Sequence, residues 1–182
     1  MALTLRQLTC FKHIETIEPI TIGLSSPCYR VCADNQLFFV KQLTSNNEAM
    51  VSLNAALNNI SPTVIYHDQH WLVTGYIDGD NLAENSKILD EKIAMACQLM
   101  AQCHQLNAKP TALAAEKISD ELIVSPCFSP AQQSELLGIA KQLAAPLQQT
   151  TPLVCCHGDV NFSNILIDKM NNTYLVDFEC AA

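Results

Sequence analysis

Apolar and polar residues alternate in short runs over the first third of the chain. This alternation is typical of β-strands that bury one face. The runs are Ile17 to Ile22, Cys28 to Ala33, Leu37 to Lys41, Thr63 to Tyr66 and Trp71 to Val73. Gly23 to Pro27 and Asp34-Asn35 separate the first three runs, and both segments are rich in turn residues. The pattern predicts an antiparallel sheet.

Apolar residues at helical spacing predict three helices. The first begins at Ser45, where Glu48 stands at the spacing of a capping box, and it ends near Asn58. The second runs from about Asp90 to Leu106, with one apolar face made of Ile93, Ala96, Met100 and Cys103. The third begins at Ser129-Pro130, a cap followed by proline. Two glycines in the segment 74–79 place the boundary between two lobes there, so that the lobes are residues 1–76 and 77–182.

Composition narrows the class of protein. With 182 residues and 49% hydrophobic residues, the chain can bury a core. A net charge of -8 argues against nucleic acid or an anionic membrane as the main partner and suits a cationic small molecule. The nine cysteines contain no CxxC pair, which favours free thiols in a reducing cytosol. No apolar run reaches the roughly 18 residues that span a bilayer, and we expect a cytoplasmic protein.

The last thirty residues carry the clearest candidate chemistry. After a short apolar strand, Leu153 to Cys156, a hairpin is predicted with strands Ile165 to Ile167 and Tyr174 to Val176. If Ile165 pairs with Val176, Asn164 and Asp177 face each other with Cα atoms about 5 Å apart. An amide oxygen and a carboxylate would then converge, as Mg2+ requires. Asp159 lies on the same loop, and it becomes the candidate base.

These residues also resemble a known family. The series His157-Gly158-Asp159, Asn164 and Asp177-Phe178-Glu179 looks like the catalytic loop and metal-binding triplet of protein-kinase-like enzymes. The His-Gly-Asp opening and the Asp-Phe-Glu ending are similar specifically to the aminoglycoside phosphotransferase and choline kinase family, which includes ethanolamine and thiamine kinases. The resemblance extends over nearly the whole chain.

Upstream segments carry the same resemblance. The turn with Gly23, Ser25 and Ser26 is similar to the family's phosphate-covering turn. Lys41 corresponds to the lysine that contacts the nucleotide phosphates, and Glu48 to the glutamate that holds this lysine. The segment with Thr74 and Tyr76 corresponds to the hinge that hydrogen-bonds adenine. Taken singly, a lysine after a strand is usually a solvated surface residue, and the capping box alone explains Glu48.

The resemblance implies an α+β, two-lobed protein-kinase-like fold. The N-lobe is an antiparallel sheet with one helix, and the C-lobe is mainly helical and truncated. In the implied reaction, ATP phosphorylates the hydroxyl of a small acceptor in the presence of Mg2+. Asn164 and Asp177 would hold the metal ion, Asp159 would orient or deprotonate the acceptor, and His157 would brace the loop.

Within the family we expect a cationic acceptor that resembles choline, ethanolamine or thiamine. An aminoglycoside phosphotransferase and a non-catalytic nucleotide-binding pseudokinase module are the alternatives. The pattern leaves the acceptor's identity, the oligomeric state and the pathway open.

The position of the triplet suggests a longer protein. The sequence ends three residues after Glu179, whereas family members have further C-lobe helices after this point. We therefore expect these residues to be the front part of a longer chain, with an apolar surface that following helices would cover.

Overall fold

The computed structural model describes residues 5–21, 26–44, 46–107, 127–144 and 154–181. The chain divides into two compact units. The first comprises Met1–Lys109 and Cys155–Ala182, and the second is Pro110–Val154. The predicted lobe boundary between residues 76 and 77 lies within the first unit and stays a prediction.

The first unit begins with a five-stranded antiparallel sheet, as the alternating pattern predicts. Its strands are β1 (Ile14–Ile20), β2 (Cys28–Ala33), β3 (Gln36–Gln42), β4 (Val64–His67) and β5 (Trp71–Gly75), in the spatial order β1-β2-β3-β5-β4. Helix α1 (Asn46–Leu57) connects β3 to β4. The predicted strands differ from these only at their ends, where hydrogen bonding rather than hydrophobicity sets the limits.

The two faces of this sheet have different partners. Side chains alternate between the faces of a strand, so Val31, Val40 and Val73 lie on one face. This face forms a buried cluster with Leu5 and Leu8 from the N-terminal segment. The opposite face carries the alternate residues of β3 and β5, among them Lys41, and it borders a cavity.

A second, three-stranded antiparallel sheet follows. It consists of β6 (Gly79–Asn81), β7 (Ile165–Asp168) and β8 (Thr173–Leu175). Helix α2 (Leu89–Cys103) packs against the hairpin, and both belong to a core that also includes Val51 and Ala55 of α1. The carbonyl of Ile60 accepts a hydrogen bond from the Leu175 amide at 2.7 Å. The end of α1 and the hairpin therefore belong to one core.

The buried face of α2 agrees with the predicted one at Cys103 and Ala96 but not at its other two positions. Leu99 and Cys103 are buried and Met95 packs beside them, whereas Ile93 and Met100 are 46% and 38% exposed. The spacing i, i+4, i+8 of the buried residues defines a stripe that is rotated relative to the predicted face. Cys97 of α2 is exposed as well.

The hairpin forms in a register shifted by one residue from the predicted one. Ile165 pairs with Leu175, and Ile167 with Thr173. The turn explains the shift: the Asp168 carboxylate accepts hydrogen bonds from the backbone amides of Met170 and Asn172, which closes a five-residue turn. Because turn length fixes the register of a hairpin, Asn164 lies opposite Val176 rather than Asp177.

Three smaller findings complete the fold. The segment Val154 to Cys156 has no regular secondary structure, although a strand was expected there. In the second unit, helix α3 (Pro130–Ala144) begins as predicted, with the Gln132 amide donating to Ser129 Oγ. None of the helices in the described ranges has the length and apolar character needed to cross a membrane.

Candidate active site

A cavity of about 430 Å³ lies between the five-stranded sheet and the hairpin of the first unit. Its walls come from five segments: the sheet, α1, the strand end at Thr74 to Ile77, the loop after β6, and the hairpin. The residues with predicted roles that line it are Lys41, Glu48, Thr74, Tyr76, Asn164 and Asp177. Fold topology thus brings together residues that lie up to 136 positions apart in the chain.

Lys41 is the centre of a charged cluster at the inner end of the cavity. Its Nζ lies 2.7 Å from Glu48 Oε1, 2.5 Å from Asp177 Oδ1 and 3.2 Å from Glu179 Oε2. The lysine side chain is only 4% exposed and that of Glu48 only 1%. Lys41 is therefore no solvated surface lysine, and one positive charge faces three carboxylates.

Burial and neighbouring charges shift the pKa values of Lys41 and Glu48 in opposite directions. Burial alone would lower the pKa of Lys41, but hydrogen bonds to Asp177 and Glu48 outweigh it and raise the pKa above its ordinary value. Burial raises the pKa of Glu48, although the ion pair with Lys41 works against this rise. Glu48 Oε2 makes no hydrogen bond to any described residue. Ser45, the other half of the expected capping box, lies outside the described residues.

Backbone geometry brings Asp177 to this lysine. Asp177 follows β8 by two residues and has a left-handed backbone with φ 69° and ψ 66°. This conformation ends the extended chain and begins a short 3-10 turn, Phe178–Cys180, which buries Phe178. Asp177 reaches the cavity through this turn in the chain, not through the strand pairing expected from the sequence.

The loop before the hairpin holds Asn164 and Asp159 together. Asn161 Oδ1 accepts the backbone amides of Ser163 and Asn164 and so caps the 3-10 turn Phe162–Asn164. Asn164 Nδ2 donates to Asp159 Oδ2 at 3.1 Å and to the Asp159 carbonyl at 3.0 Å. Asp159 itself is exposed and does not line the cavity. The Asn164 amide thereby connects the candidate base to the cavity wall.

His157 connects the same loop to the hairpin. The Asp159 amide donates to Nδ1 at 3.3 Å, so Nε2 carries the proton and donates to the Val176 carbonyl at 2.9 Å. The ring packs against Phe178 with centroids 4.7 Å apart. Burial lowers the pKa of His157, which favours the neutral ring that these two bonds require. This geometry agrees with a bracing role.

Gly158 allows the loop to approach the end of the triplet. Its φ is +83°, and a Cβ at this position would lie 2.2 Å from the Cys180 carbonyl oxygen. We expect Gly158→Ala to lower the free energy of unfolding by more than about 1 kcal/mol, because both strain and overlap oppose the methyl group. Denaturant unfolding measures this change.

Gly138 provides a matched control. It lies within α3, and a Cβ there would have no atom within 4 Å. Gly138→Ala should therefore raise stability by about 0.5–1 kcal/mol. Equal effects of the two substitutions would contradict a special requirement for glycine at position 158.

The remaining predicted residues have mixed outcomes. Gly23 and Ser25 lie outside the described residues. Ser26 is buried, its Oγ has no hydrogen-bond partner among the described residues, and it does not line the cavity. Thr74 Oγ1 donates to the Gly75 carbonyl, and the Tyr76 amide donates to Leu37. The Tyr76 amide is therefore already used within the protein.

The cavity also has walls that sequence reasoning missed. Phe39 contributes an apolar surface from the sheet and Leu166 one from the hairpin. Phe39 lies two residues before Lys41 and hence on the same face of β3, a signal that strand periodicity already contains. Leu166 lies between buried Ile165 and Ile167, so alternation assigns it to the cavity side of β7.

The donor set fits a magnesium ion. Asp177 is 21% exposed toward the cavity, and Asn164 Oδ1 makes no hydrogen bond to another described residue. Mg2+ takes one or two protein oxygen ligands and completes its shell with phosphate and water. Three carboxylates surround the single positive charge of Lys41, which favours the binding of another cation. No group of three or more His, Cys, Asp or Glu side chains in the described ranges forms an all-protein metal site.

Helix α1 is bound directly to the segment after Asp177. Asn47 Nδ2 donates a hydrogen bond to the Ala181 carbonyl at 2.7 Å. The next residue in the helix, Glu48, pairs with Lys41. The helix therefore contacts the segment after the triplet through a neutral hydrogen bond, and the ion pair between Glu48 and Lys41 lies beside it.

Comparisons with known proteins agree with this arrangement. Residues 16–182 match the sequence profile of the phosphotransferase enzyme family, APH. No curated protein sequence matches the chain.

Solved structures are similar in fold. The choline/ethanolamine kinase family protein from Mesorhizobium loti has 18% identity and a TM-score of 0.67, over 99% of this chain and 64% of its own. The choline kinase LicA from Streptococcus pneumoniae has 15% identity and a TM-score of 0.73, over 100% and 69%. The spectinomycin phosphotransferase APH(9)-Ia, solved with ADP and spectinomycin, has 12% identity and a TM-score of 0.59, over 94% and 66%.

The predicted protein-kinase-like α+β fold is thus confirmed. The chain spans 64% to 69% of the length of these three proteins.

Proposed function

Because the chain belongs to the phosphotransferase enzyme family, we propose that it transfers the γ-phosphoryl group of ATP to the hydroxyl of a small, cationic metabolite. The observation that carries this proposal is the contact of Lys41 with Asp177 in a cavity that Asn164 also lines. In the proposal, Lys41 supplies a cation for phosphate oxygens, and Asp177 and Asn164 supply oxygen ligands for a metal ion. The ADP complex of the spectinomycin phosphotransferase supports a nucleotide as the donor.

The proposed reaction uses the chain's own groups for positioning. The adenine ring occupies the space between Phe39 and Leu166, and Lys41 binds the phosphates. The oxygen of the acceptor hydroxyl attacks the γ-phosphorus while Asp159 accepts the proton of that hydroxyl. ADP is the leaving group. Asn164 holds the Asp159 carboxylate by the hydrogen bond at 3.1 Å.

Mg2+ would be held by Asp177 and Asn164, and it would neutralise charge on the phosphate oxygens. Lys41 is a second cation beside Asp177, so it would compete with the metal ion for this carboxylate. Metal binding should therefore weaken the contact between Lys41 and Asp177 and leave the pair with Glu48 in place.

Charge supports a cationic acceptor. The net charge is -8, and Asp80 and Glu84 line the outer part of the cavity. Two of the similar structures are a choline kinase and a choline/ethanolamine kinase family protein. An aminoglycoside acceptor is the second candidate, which the likeness to the spectinomycin phosphotransferase favours.

An acceptor panel tests this proposal. The full-length protein is incubated with Mg-ATP and choline, ethanolamine, thiamine or spectinomycin, and ADP release is compared with the rate without acceptor. We expect stimulation by an amino alcohol or by thiamine. Stimulation by spectinomycin alone would favour the second candidate. Nucleotide binding without stimulation by any acceptor would favour a non-catalytic binding module.

The metal role of Asp177 can be tested by Asp177→Asn. Asparagine tolerates the left-handed backbone at this position, so the substitution removes charge without adding strain. We expect the gain in ATP affinity that Mg2+ confers to fall by about 10-fold or more. Calorimetric titrations with ATP, with and without Mg2+, measure this gain.

Asp78→Asn is the matched control, because Asp78 is an exposed carboxylate that contacts Lys169 outside the cavity. It should leave the metal dependence unchanged. If Asp177→Asn also leaves it unchanged, the metal ion is held elsewhere.

A further inference from the structure

A second cavity, of about 690 Å³, lies on the other side of the segment Gly75 to Ile77. This segment, together with Ser61 and Pro62, lines both cavities and forms a wall between them. The other walls of the second cavity come from the end of α1, from α2 and from the turn of the hairpin. Its volume is that of cavities that hold drug-sized ligands.

Carboxamides dominate the polar lining of this cavity. They come from three segments of the chain: Asn59, Gln98, Gln102, Asn171 and Asn172. No charged side chain is among the described residues that line it. The lining offers a charged ligand no counter-ion, whereas its carboxamides can pair with neutral hydroxyls, so it favours a neutral ligand.

Four of these carboxamides have unused hydrogen-bonding capacity. Asn172 donates to Asp168, but the side chains of Asn59, Gln98, Gln102 and Asn171 make no hydrogen bond to another described residue. Gln98 and Gln102 are four residues apart and lie on one face of α2. Each carboxamide presents a donor and an acceptor side by side, which matches neighbouring hydroxyl groups that also donate and accept.

Aromatic surfaces complete the lining. The rings of Tyr76 and Tyr174 border the cavity, together with Met95. The Tyr174 hydroxyl donates to Asp168 Oδ2 at 3.2 Å, which fixes this ring against the hairpin turn. Flat apolar surfaces beside carboxamides suit a molecule that has an apolar C–H face and a rim of hydroxyls.

We propose that this cavity is a binding site for a neutral, polyhydroxylated ligand such as a sugar or a cyclic polyol. Its hydroxyls pair with the carboxamides of α2 and of the two turns, and its C–H face packs on the tyrosine rings. None of the five carboxamides lines the nucleotide cavity, so the proposal does not depend on the phosphotransfer reaction.

Direct binding tests the site without any measurement of activity. Glucose, myo-inositol and trehalose are titrated into the protein and followed by calorimetry and by ligand-observed NMR. Glucuronate and glucosamine serve as charged counterparts of glucose. We expect at least one neutral probe to bind with a Kd on the order of 1 mM, and each charged probe to bind at least about 10-fold more weakly than glucose.

Two variants locate the binding. Gln98→Leu with Gln102→Leu removes the carboxamides of α2. Asn59→Gly with Asn171→Gly removes those of the turns and preserves their left-handed backbones, which have φ of 57° and 67°. Each double variant should weaken binding at least about 10-fold. Gln105→Leu alters an exposed glutamine outside the cavity and should have no effect.

The proposal is wrong if no neutral probe binds below about 50 mM. Unchanged affinity in both double variants, or tighter binding of a charged probe, also overturns it. If one double variant fails to fold, as judged from its melting curve, the other decides.

Discussion

Replacing Asp159 with asparagine should reduce kcat/KM by about 10²- to 10⁴-fold and change ATP affinity less than about twofold. The side chain lies outside the nucleotide cavity, so nucleotide contacts should persist. Asparagine retains an oxygen that can accept the bond from Asn164, so the loop geometry should persist too. The lost function is proton acceptance from the acceptor hydroxyl.

Steady-state kinetics with the best acceptor and ATP titration by calorimetry separate these effects. Asp90→Asn, at an exposed position in the first turn of α2, is the control and should retain full activity. If the Asp159 variant retains more than about a tenth of the parent kcat/KM, Asp159 is not the base.

Replacing Lys41 with methionine should lower the free energy of unfolding by about 3–5 kcal/mol at neutral pH. The substitution leaves the carboxylate of Glu48, which is only 1% exposed, without its cation. Glu48→Gln should cost much less, because Lys41 keeps Asp177 and Glu179 as partners. Combining Lys41→Met with Glu48→Gln should recover most of the loss, since no unpaired charge then lies buried.

The deficit of the Lys41 variant should depend on pH. Without Lys41, burial and the neighbouring Asp177 and Glu179 carboxylates all raise the pKa of Glu48 further above the ordinary 4.5. A carboxyl whose pKa is raised in the folded state destabilises the protein as the pH rises from the unfolded pKa to the folded one, and the full loss is present above the folded pKa. The deficit should therefore be largest at neutral pH and shrink as the pH falls toward about 4.5. Urea unfolding at several pH values measures it, and a deficit that is constant with pH would exclude a buried charge as its cause.

Local sequence patterns were sufficient for the strands of the first sheet. Alternation of apolar residues places β2 at Cys28–Ala33 without error, because each strand buries one face against a separate layer. The same reasoning failed for the exposed side of α2. Several faces of that helix are apolar, and only its packing on the hairpin selects Leu99 and Cys103.

The residues that line the candidate site were easier to predict from the sequence than their arrangement. Residue type and spacing identified Asn164 and Asp177, but not how they meet. The hydrogen bonds of Asp168 set the turn length and shift the register, and Asp177 contacts Lys41 from a left-handed backbone. Such conformations depend on tertiary contacts. The burial of Lys41 likewise could not be read from the sequence, since a lysine after a strand is most often solvated.

The bond between Asn47 and Ala181 has a consequence for movement. Together with the pair between Glu48 and Lys41, it connects consecutive residues of α1 to two different points of the interior. Displacing the helix outward would strain both connections at once. The helix and the segment ending at Ala181 should therefore shift as one cooperative element. An open form would differ from the present one by a single concerted step, not by a series of gradual adjustments.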